Sequence, residues 1–456
     1  MTIRSVLIAN RGEIAVRIIR ACRELGIETV QAFSTADENS LAVRLADRSV
    51  CVGGPSPTES YLNVNALVQA ALTSKVDAVH PGYGFLSENA GFAEAVLAAG
   101  LTFVGPDPSA IRLMGDKAAA RKLAMETGVP VVQGSPDPVA DVEEAARLAA
   151  EIGYPVLVKA SAGGGGRGMR VMENEKQLRE GLERASSEAK AAFGSGEVYI
   201  ERYISPVRHV EVQVMGDGKD VIHFGERDCT IQRRHQKLLE ESPSPIVSED
   251  LRKRMTHAAC QLARAVNYKG AGTLEFIVDA AGSEFFFIEM NTRIQVEHPV
   301  TEAVTGVDLV KLQLRVASGE PLPLRQSDVR FHGHAIECRI NAEDSEKGFM
   351  PRPGKLTEFE LPAGPGVRVD THAYASYDLP PYYDSLIAKL IVWDETREAA
   401  IARMQRALRE LHISGVKTTR EFHQRLLAEP AFAKAEVSTQ FVRDTMYAEH
   451  PMRHML

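Results

Sequence analysis

The run Lys159-Ala160-Ser161-Ala162-Gly163-Gly164-Gly165-Gly166-Arg167-Gly168 sets four consecutive glycines between a lysine and an arginine. Glycine lets successive backbone N–H groups crowd around an anion, so such a loop cradles phosphate without net charge. Lys159, at the end of a preceding apolar run, adds a point charge for the same phosphates. The order G-x-x-x-x-G-K-[ST] is missing, so this is not a P-loop. A flexible hairpin is the bland alternative.

A pair of carboxylates comes next. In Thr273-Leu274-Glu275-Phe276-Ile277 the acid lies on one strand face, and Leu274 and Phe276 lie on the other. In Phe285-Phe286-Phe287-Ile288-Glu289-Met290-Asn291 the same alternation puts Glu289 and Asn291 on one face. Asp279-Ala280-Ala281-Gly282-Ser283 is turn material, which predicts a hairpin. Pairing Asp279 with Phe285 sets Glu275 directly opposite Glu289. Like charges so placed repel unless neutralised, and a hard cation such as Mg²⁺ that bridges phosphates would do it. Two solvent-facing acids on an edge hairpin are the alternative.

Asn291-Thr292-Arg293-Ile294-Gln295-Val296-Glu297-His298-Pro299 leaves the second strand directly. Forked donors on Arg293 and Gln295 suit a small planar anion, and Glu297 suits a general base acting on it. A capped turn before a helix explains the same residues. Glu226 to Lys237 is densely basic near its end, through Arg233, Arg234, His235 and Lys237. It reads as a surface run, or as positive charge for a triphosphate. His80-Pro81-Gly82-Tyr83-Gly84-Phe85-Leu86-Ser87-Glu88-Asn89 follows a predicted parallel strand, where α/β folds place ligands.

These residues need a scaffold. Short apolar runs at Val6–Ala9, Ile27–Phe33, Ser49–Val52, Ala78–His80 and Leu101–Val104 alternate with helical patterns such as Ile14, Ile18, Cys22 and Leu25. That alternation predicts a parallel, Rossmann-like sheet over 1–113. The turn Ala9-Asn10-Arg11-Gly12-Glu13 has no G-x-G-x-x-G, so no dinucleotide site is expected. A helical linker (114–130) leads to a small α/β unit carrying the glycine loop (131–203). Antiparallel patterns fill a central unit (204–331), and a mixed α+β unit closes the chain (332–446).

Composition sets bounds on all this. At 456 residues the chain is long enough for several packed units, and 44% hydrophobic and 25% charged residues are ordinary for a globular protein. A formal charge of −8 argues against a nucleic-acid partner held by a broad basic field. Anionic ligands must then be met by local devices. Cys22, Cys51, Cys229, Cys260 and Cys338 form no C-x-x-C pair, which fits reduced thiols in a cytoplasmic setting. No apolar stretch approaches a signal peptide or membrane span.

Taken in order, Ile8 to Ala15, His80 to Asn89, Met114 to Lys117, Lys159 to Arg170, Arg208 to Glu211, Gln232 to Lys237, Glu289 to Glu297 and Glu337-Cys338-Arg339-Ile340-Asn341-Ala342-Glu343 resemble the signatures of the biotin carboxylase family of ATP-grasp enzymes. The resemblance implies a Rossmann-like N-terminal domain, an ATP-grasp lid and central domain, and a C-terminal α+β domain. It implies carboxylation of biotin on a separate carrier, with ATP and bicarbonate reacting through carboxyphosphate.

By matching position, Lys117, Lys159, His209 and His235 would meet ATP phosphates or ribose, with Gly165 and Gly166 in the lid loop. Glu201 and the backbone of Arg202, Tyr203 and Ile204 would meet adenine, with Gln232 beside the nucleotide. Glu275, Glu289 and Asn291 would bind Mg²⁺ or Mn²⁺. Lys237, Arg293, Gln295 and Val296 would hold bicarbonate, and Glu297 would deprotonate it. Arg339 would stabilise the biotin enolate and Tyr83 would line the biotin pocket.

Ala162 stands where many bacterial members carry a fifth glycine, a mark of subfamily rather than of lost activity. None of the 13 methionines precedes a lysine, so the biotinyl Met-Lys-Met context is missing. The expected partners are therefore a biotin carboxyl carrier protein, carboxyltransferase subunits of an acetyl-CoA or other acyl-CoA carboxylase, and a second copy in a homodimer. Another ATP-grasp ligase would share the loop and the acid pair, but would not need Arg293, Gln295 and Glu297 together with Arg339. A non-catalytic scaffold would be expected to have lost one of them.

Overall fold

The computed structural model describes residues 2–135, 137–139, 141–160, 169–193 and 196–448. Strands β1 (Ser5–Ile8), β2 (Glu28–Ser34), β3 (Arg48–Gly53), β4 (Ala78–His80) and β5 (Thr102–Phe103) form a parallel sheet in the order β3-β2-β1-β4-β5. All four residues of β1 are buried, as a strand covered on both faces requires. The strand order reverses between β1 and β4. The loops after these two strands, with Glu13 and Tyr83, therefore open onto the crevice where such sheets take ligands.

The predicted helical linker is two helices, Pro108–Gly115 and Lys117–Glu126. Asp116 ends the first in extended backbone, and its carboxylate accepts from the N–H groups of Ala118 and Ala119 to begin the second. Lys117 is thereby set at a helix start. Beyond it, β6 (Val156–Ala160), β7 (Met169–Met172) and β8 (Val198–Arg202) form an antiparallel sheet in the order β7-β6-β8. Helices Val142–Ile152 and Glu175–Phe193 cover it, with a small core of its own around Val156, Val158, Leu178 and Ile200. The glycine-rich stretch 161–168, with Gly165 and Gly166, lies outside the described residues.

The working platform is an eight-stranded sheet built from β9 (Val207–Asp217), β10 (Val221–Arg233), β11 (Gln236–Ser242), β12 (Lys269–Asp279), β13 (Phe285–Asn291), β14 (His334–Asn341), β15 (Val367–Thr371) and β16 (Leu386–Asp394). Its order is β13-β12-β9-β10-β11-β14-β16-β15, antiparallel throughout. The ladder between β11 and β14 carries this sheet without a break across residues 331 and 332. Of the two readings of the basic run 226–237, the surface run holds only at its turn: the run is the second half of β10, a two-residue turn and the start of β11, with Arg227, Asp228, Thr230 and Gln232 buried and Arg234 and His235 exposed. Charge is tolerated inside because one face of the sheet is lined with polar partners.

Candidate active site

Alternation along β9 explains how that face arises. Val210, Val212 and Val214 point into the core, and Glu211 and Gln213 point the other way although both are fully buried. Arg227, also without solvent exposure, donates through Nε to Glu211 Oε1 at 2.6 Å and through Nη1 to Gln213 Oε1 at 2.7 Å. Thr301 accepts a second bond from Nη1 and Thr273 one from Nη2. A guanidinium held by four such bonds is a fixed positive floor.

Above it sits Lys237. Its ammonium donates to Glu211 Oε2 at 2.6 Å, Glu275 Oε1 at 3.0 Å and Glu297 Oε1 at 2.6 Å. Burial would lower the pKa of Lys237, but the surrounding acids raise it well above the ordinary value, so the lysine stays charged. Glu297 has no solvent exposure and also accepts from Arg339 Nη2 at 3.0 Å. Burial alone would raise its pKa; Lys237, Arg339 and Arg227 hold it well below the carboxylate range. Arg339 in turn donates through Nε to Glu240 Oε1 at 2.6 Å.

The two predicted acids face each other, Glu275 opposite Glu289. The register differs from the one expected. Val278, not Asp279, pairs with Phe285, and an extra residue at Ile288 restores the offset as a β-bulge. Without the bulge, Phe287 and Met290 could not both face the core in which they lie. Glu275 is held by His209 Nε2 at 3.0 Å, Asn291 Nδ2 at 2.9 Å and Gln295 Nε2 at 3.2 Å, and Lys117 Nζ lies 3.5 Å from Glu289 Oε2. Burial works against a charged His209, yet the adjacent Glu275 raises its pKa overall.

Arg293 spreads its fork over Glu88 Oε2 at 2.8 Å, Gln295 Oε1 at 2.8 Å and Asn291 Oδ1 at 2.9 Å. Lys389 anchors the next turn by donating to the Val296 carbonyl at 2.8 Å, and it pairs with Glu13 at 3.0 Å. Glu13 also accepts from the hydroxyl of Tyr83. The structure thus brings Lys117, His209, Lys237, Glu275, Glu289, Asn291, Arg293, Gln295, Val296, Glu297 and Arg339 to one face, with Tyr83 joined through Glu13 and Lys389.

On the lid, Lys159 pairs with Glu201, and Arg121 lies 3.6 Å from the same acid. The N–H groups of Arg202 and Tyr203 are taken by the carbonyls of Gln133 and Pro155, so Ile204 begins the segment that enters β9. Gln232 is buried opposite Lys237 in the β10–β11 ladder. The turn beyond it places Arg234 and His235 at φ 46° and 64°, left-handed backbone that matches the twist of a two-residue hairpin. Burial, with His209 and Lys117 nearby, lowers the pKa of His235.

Glu211, Glu88, Glu240, Glu13 and Lys389 were not singled out from sequence. The signal for Glu211 was present, since an acid that interrupts valines on a long strand marks a polar face. Glu240 and Lys389 carried no such local signal. Their roles come from ladders formed between distant segments.

Three family models match the chain: "Biotin carboxylase, N-terminal domain" over residues 2–111, "Carbamoyl-phosphate synthase L chain, ATP binding domain" over 116–325, and "Biotin carboxylase C-terminal domain" over 337–444. A biotin carboxylase of a Nostoc species is 55% identical, covering 97% of this chain and 99% of that one. Biotin carboxylase 1 of Bacillus subtilis is 56% identical, covering 96% and 98%. Among solved structures, the biotin carboxylase domain dimer of 2-oxoglutarate carboxylase from Hydrogenobacter thermophilus, in complex with MgADP, ADP and bicarbonate, is 48% identical. It superposes with a TM-score of 0.91 and covers 99% of both chains.

Proposed function

The chain belongs to the biotin carboxylase family, and on that premise we propose how its residues divide the work of an ATP-grasp ligase. The reaction is ATP- and bicarbonate-dependent carboxylation of biotin, the first half-reaction of a biotin-dependent carboxylase. One observation carries the assignment: a fully buried carboxylate, Glu297, is held between Lys237 and Arg339, beside paired acids and a forked arginine.

Bicarbonate would sit against Arg293, Gln295, the Val296 backbone and Lys237, whose donors match a small planar oxyanion. Glu297 would take its proton. A carboxylate so strongly neutralised is a weak base, and its basicity returns as Lys237 and Arg339 turn their N–H groups to the incoming substrates. The bicarbonate oxygen attacks the γ-phosphate and ADP leaves; the carboxyphosphate formed splits into CO₂ and phosphate, the phosphate takes the ureido N–H proton of biotin, and the nitrogen bonds to CO₂. Arg339 would stabilise the charge on the biotin ureido oxygen, with Tyr83 lining its pocket.

Lys117, Lys159, His209 and His235 are assigned to the nucleotide phosphates and ribose, and Gln232, Glu201 and residues 202–204 to the base and its surroundings. Gly165 and Gly166 are assigned to the phosphates on sequence grounds. Glu275, Glu289 and the Asn291 side-chain oxygen offer only hard oxygen donors, and Glu275 and Glu289 face each other across a ladder. This set fits Mg²⁺ or Mn²⁺. Such a cation neutralises phosphate charge when bound.

Biotin would arrive on a carrier protein and pass its carboxyl group to a carboxyltransferase subunit. The dimer of the Hydrogenobacter relative supports a homodimer here. No described helix is long and apolar enough to cross a membrane, and we place the protein in the cytoplasm. The test is phosphate release from MgATP. The reading requires bicarbonate dependence and stimulation by free biotin, and equal release with and without both would overturn it.

A further inference from the structure

Beneath Arg339 lies a second pair of acids that the reaction as described does not use. Glu240 on β11 and Glu337 on β14 are direct cross-strand partners, and both are without solvent exposure. Glu240 spends Oε1 on Arg339, while its Oε2 and both oxygens of Glu337 have no hydrogen-bond partner. Two buried carboxylates side by side are strongly disfavoured, and a buried carboxylate with no donor is worse.

The surrounding charges relieve them only in part. On β14, Arg339 is shared between Glu240 and Glu297. On β16, Lys389 lies opposite Arg339 but is spent on Glu13, from helix Gly12–Glu24, and on the Val296 carbonyl. On β11, Lys237 is engaged by Glu211, Glu275 and Glu297. His298, in the helix packed over β14, is kept neutral by burial and by Lys389, Arg17 and Arg368. Lys389 and Arg339 oppose the effect of burial on Glu337, but among the described residues no group donates a hydrogen bond to either of its oxygens.

A proton is the remaining solution. We propose that Glu240 and Glu337 hold one proton between them, resident on Glu337, and that the charge left on Glu240 is the positioning anchor that aims Arg339 at the biotin oxygen. This rests on the assignment of Arg339 to biotin. Neutral Glu337 becomes a donor, and the free Oε2 of its cross-strand partner is the acceptor the ladder offers. Burial, opposed only in part by Arg339, raises Glu240 to about 7, and burial lifts Glu337 well above the ordinary value. Glu240 is therefore anionic above about pH 7 and loses its charge below it. The Nε anchor of Arg339 goes with it.

The experiment compares two rates of the same enzyme across pH: bicarbonate-dependent ATP cleavage without biotin, and carboxylation of free biotin. The biotin rate should fall below about pH 7 with a limb absent from the biotin-independent rate. E240Q should flatten that limb and lower the biotin rate at pH 8 by about tenfold, the worth of a charge-assisted hydrogen bond. A limb unchanged in E240Q, or equal losses in both rates, overturns the proposal.

R339A separates the two claims. If it affects both rates equally, the biotin assignment of Arg339 fails. If it affects the biotin rate selectively while E240Q does not, only the present proposal fails. Infrared spectroscopy of the wild-type protein above pH 8 gives a readout independent of activity. A carboxylic-acid carbonyl stretch that is lost in E337Q supports the shared proton, and its absence from wild type refutes it.

Discussion

At the scale of single residues, the site is a set of like-charged groups kept apart by single cations. Lys237 serves three carboxylates, and Arg339 serves Glu297 and Glu240. Removing one such cation leaves buried charge without a partner, which is why single substitutions here should be severe. Arg339→Ala is expected to depress biotin carboxylation by at least about tenfold more than biotin-independent ATP cleavage, since a fixed cation at a developing oxyanion acts mainly in that step. Steady-state rates of both reactions read this directly, and parallel losses would remove the assigned role. Glu241 gives a pH prediction of another kind. Burial would raise its pKa, but the His334 hydrogen bond and Arg397 bring it from 4.5 to about 2. The stabilisation, on the order of 3 kcal/mol, is fully present above about pH 4.5 and is lost as pH falls towards 2. Arg397→Met should therefore cost more stability at pH 7 than at pH 2, where the loss is confined to its bonds to the Phe432 and Ala433 carbonyls, as measured by chemical denaturation.

At the scale of elements, the β12–β13 hairpin decides whether the two acids can share a cation. Glu289→Gln is expected to raise the Mg²⁺ concentration needed for half-maximal ATP cleavage by about tenfold or more, a loss that excess Mg²⁺ partly restores. An unchanged Mg²⁺ titration would take Glu289 out of the metal site. Chelation with EDTA should abolish cleavage in the wild type. The approach of β9 to the start of β12 can be tested separately. A Cβ on Gly216 would lie 2.1 Å from the Tyr268 carbonyl oxygen, so Gly216→Ala must move backbone and should lower the melting temperature markedly.

The hairpin also shows what the sequence made legible. Alternation placed Glu275 opposite Glu289 but did not reveal the bulge at Ile288, because the unbroken apolar run Phe285 to Ile288 hides the point at which the alternation changes phase. The parallel sheet and the acid pair were readable because each has a local period or spacing, whereas the 291–297 segment took its assignment from the family resemblance. The basic run 226–237 was left with two readings because local composition does not say that the strand crosses the middle of a sheet. Glu240, Glu337 and Lys389 were unreadable for the same reason: their neighbours come from ladders between segments about 50 to 100 residues apart in sequence.

At the scale of the whole molecule, the eight-stranded sheet carries the reacting groups on one continuous platform, while the small sheet β6–β8 has its own limited core. Amides of β6, β7 and β8 are expected to exchange hydrogen faster than those of β9, β10 and β12, and to slow when MgATP binds. Exchange monitored by mass spectrometry tests this, and equal protection in both sheets without nucleotide would count against it. The net charge of −8 is consistent with the proposed design, in which anionic substrates would be met by a few buried cations rather than by the surface as a whole.

Glu297 is the proposed base, and Lys237, Arg339 and Arg227 surround it with positive charge. Its most direct test is Glu297→Gln, which keeps the shape and removes the proton acceptor. Bicarbonate-dependent phosphate release should fall by about a hundredfold or more, the usual worth of a general base, while the affinity for ATP measured by calorimetry stays nearly unchanged. Retained bicarbonate-dependent turnover, or loss of ATP binding in step with turnover, would contradict it.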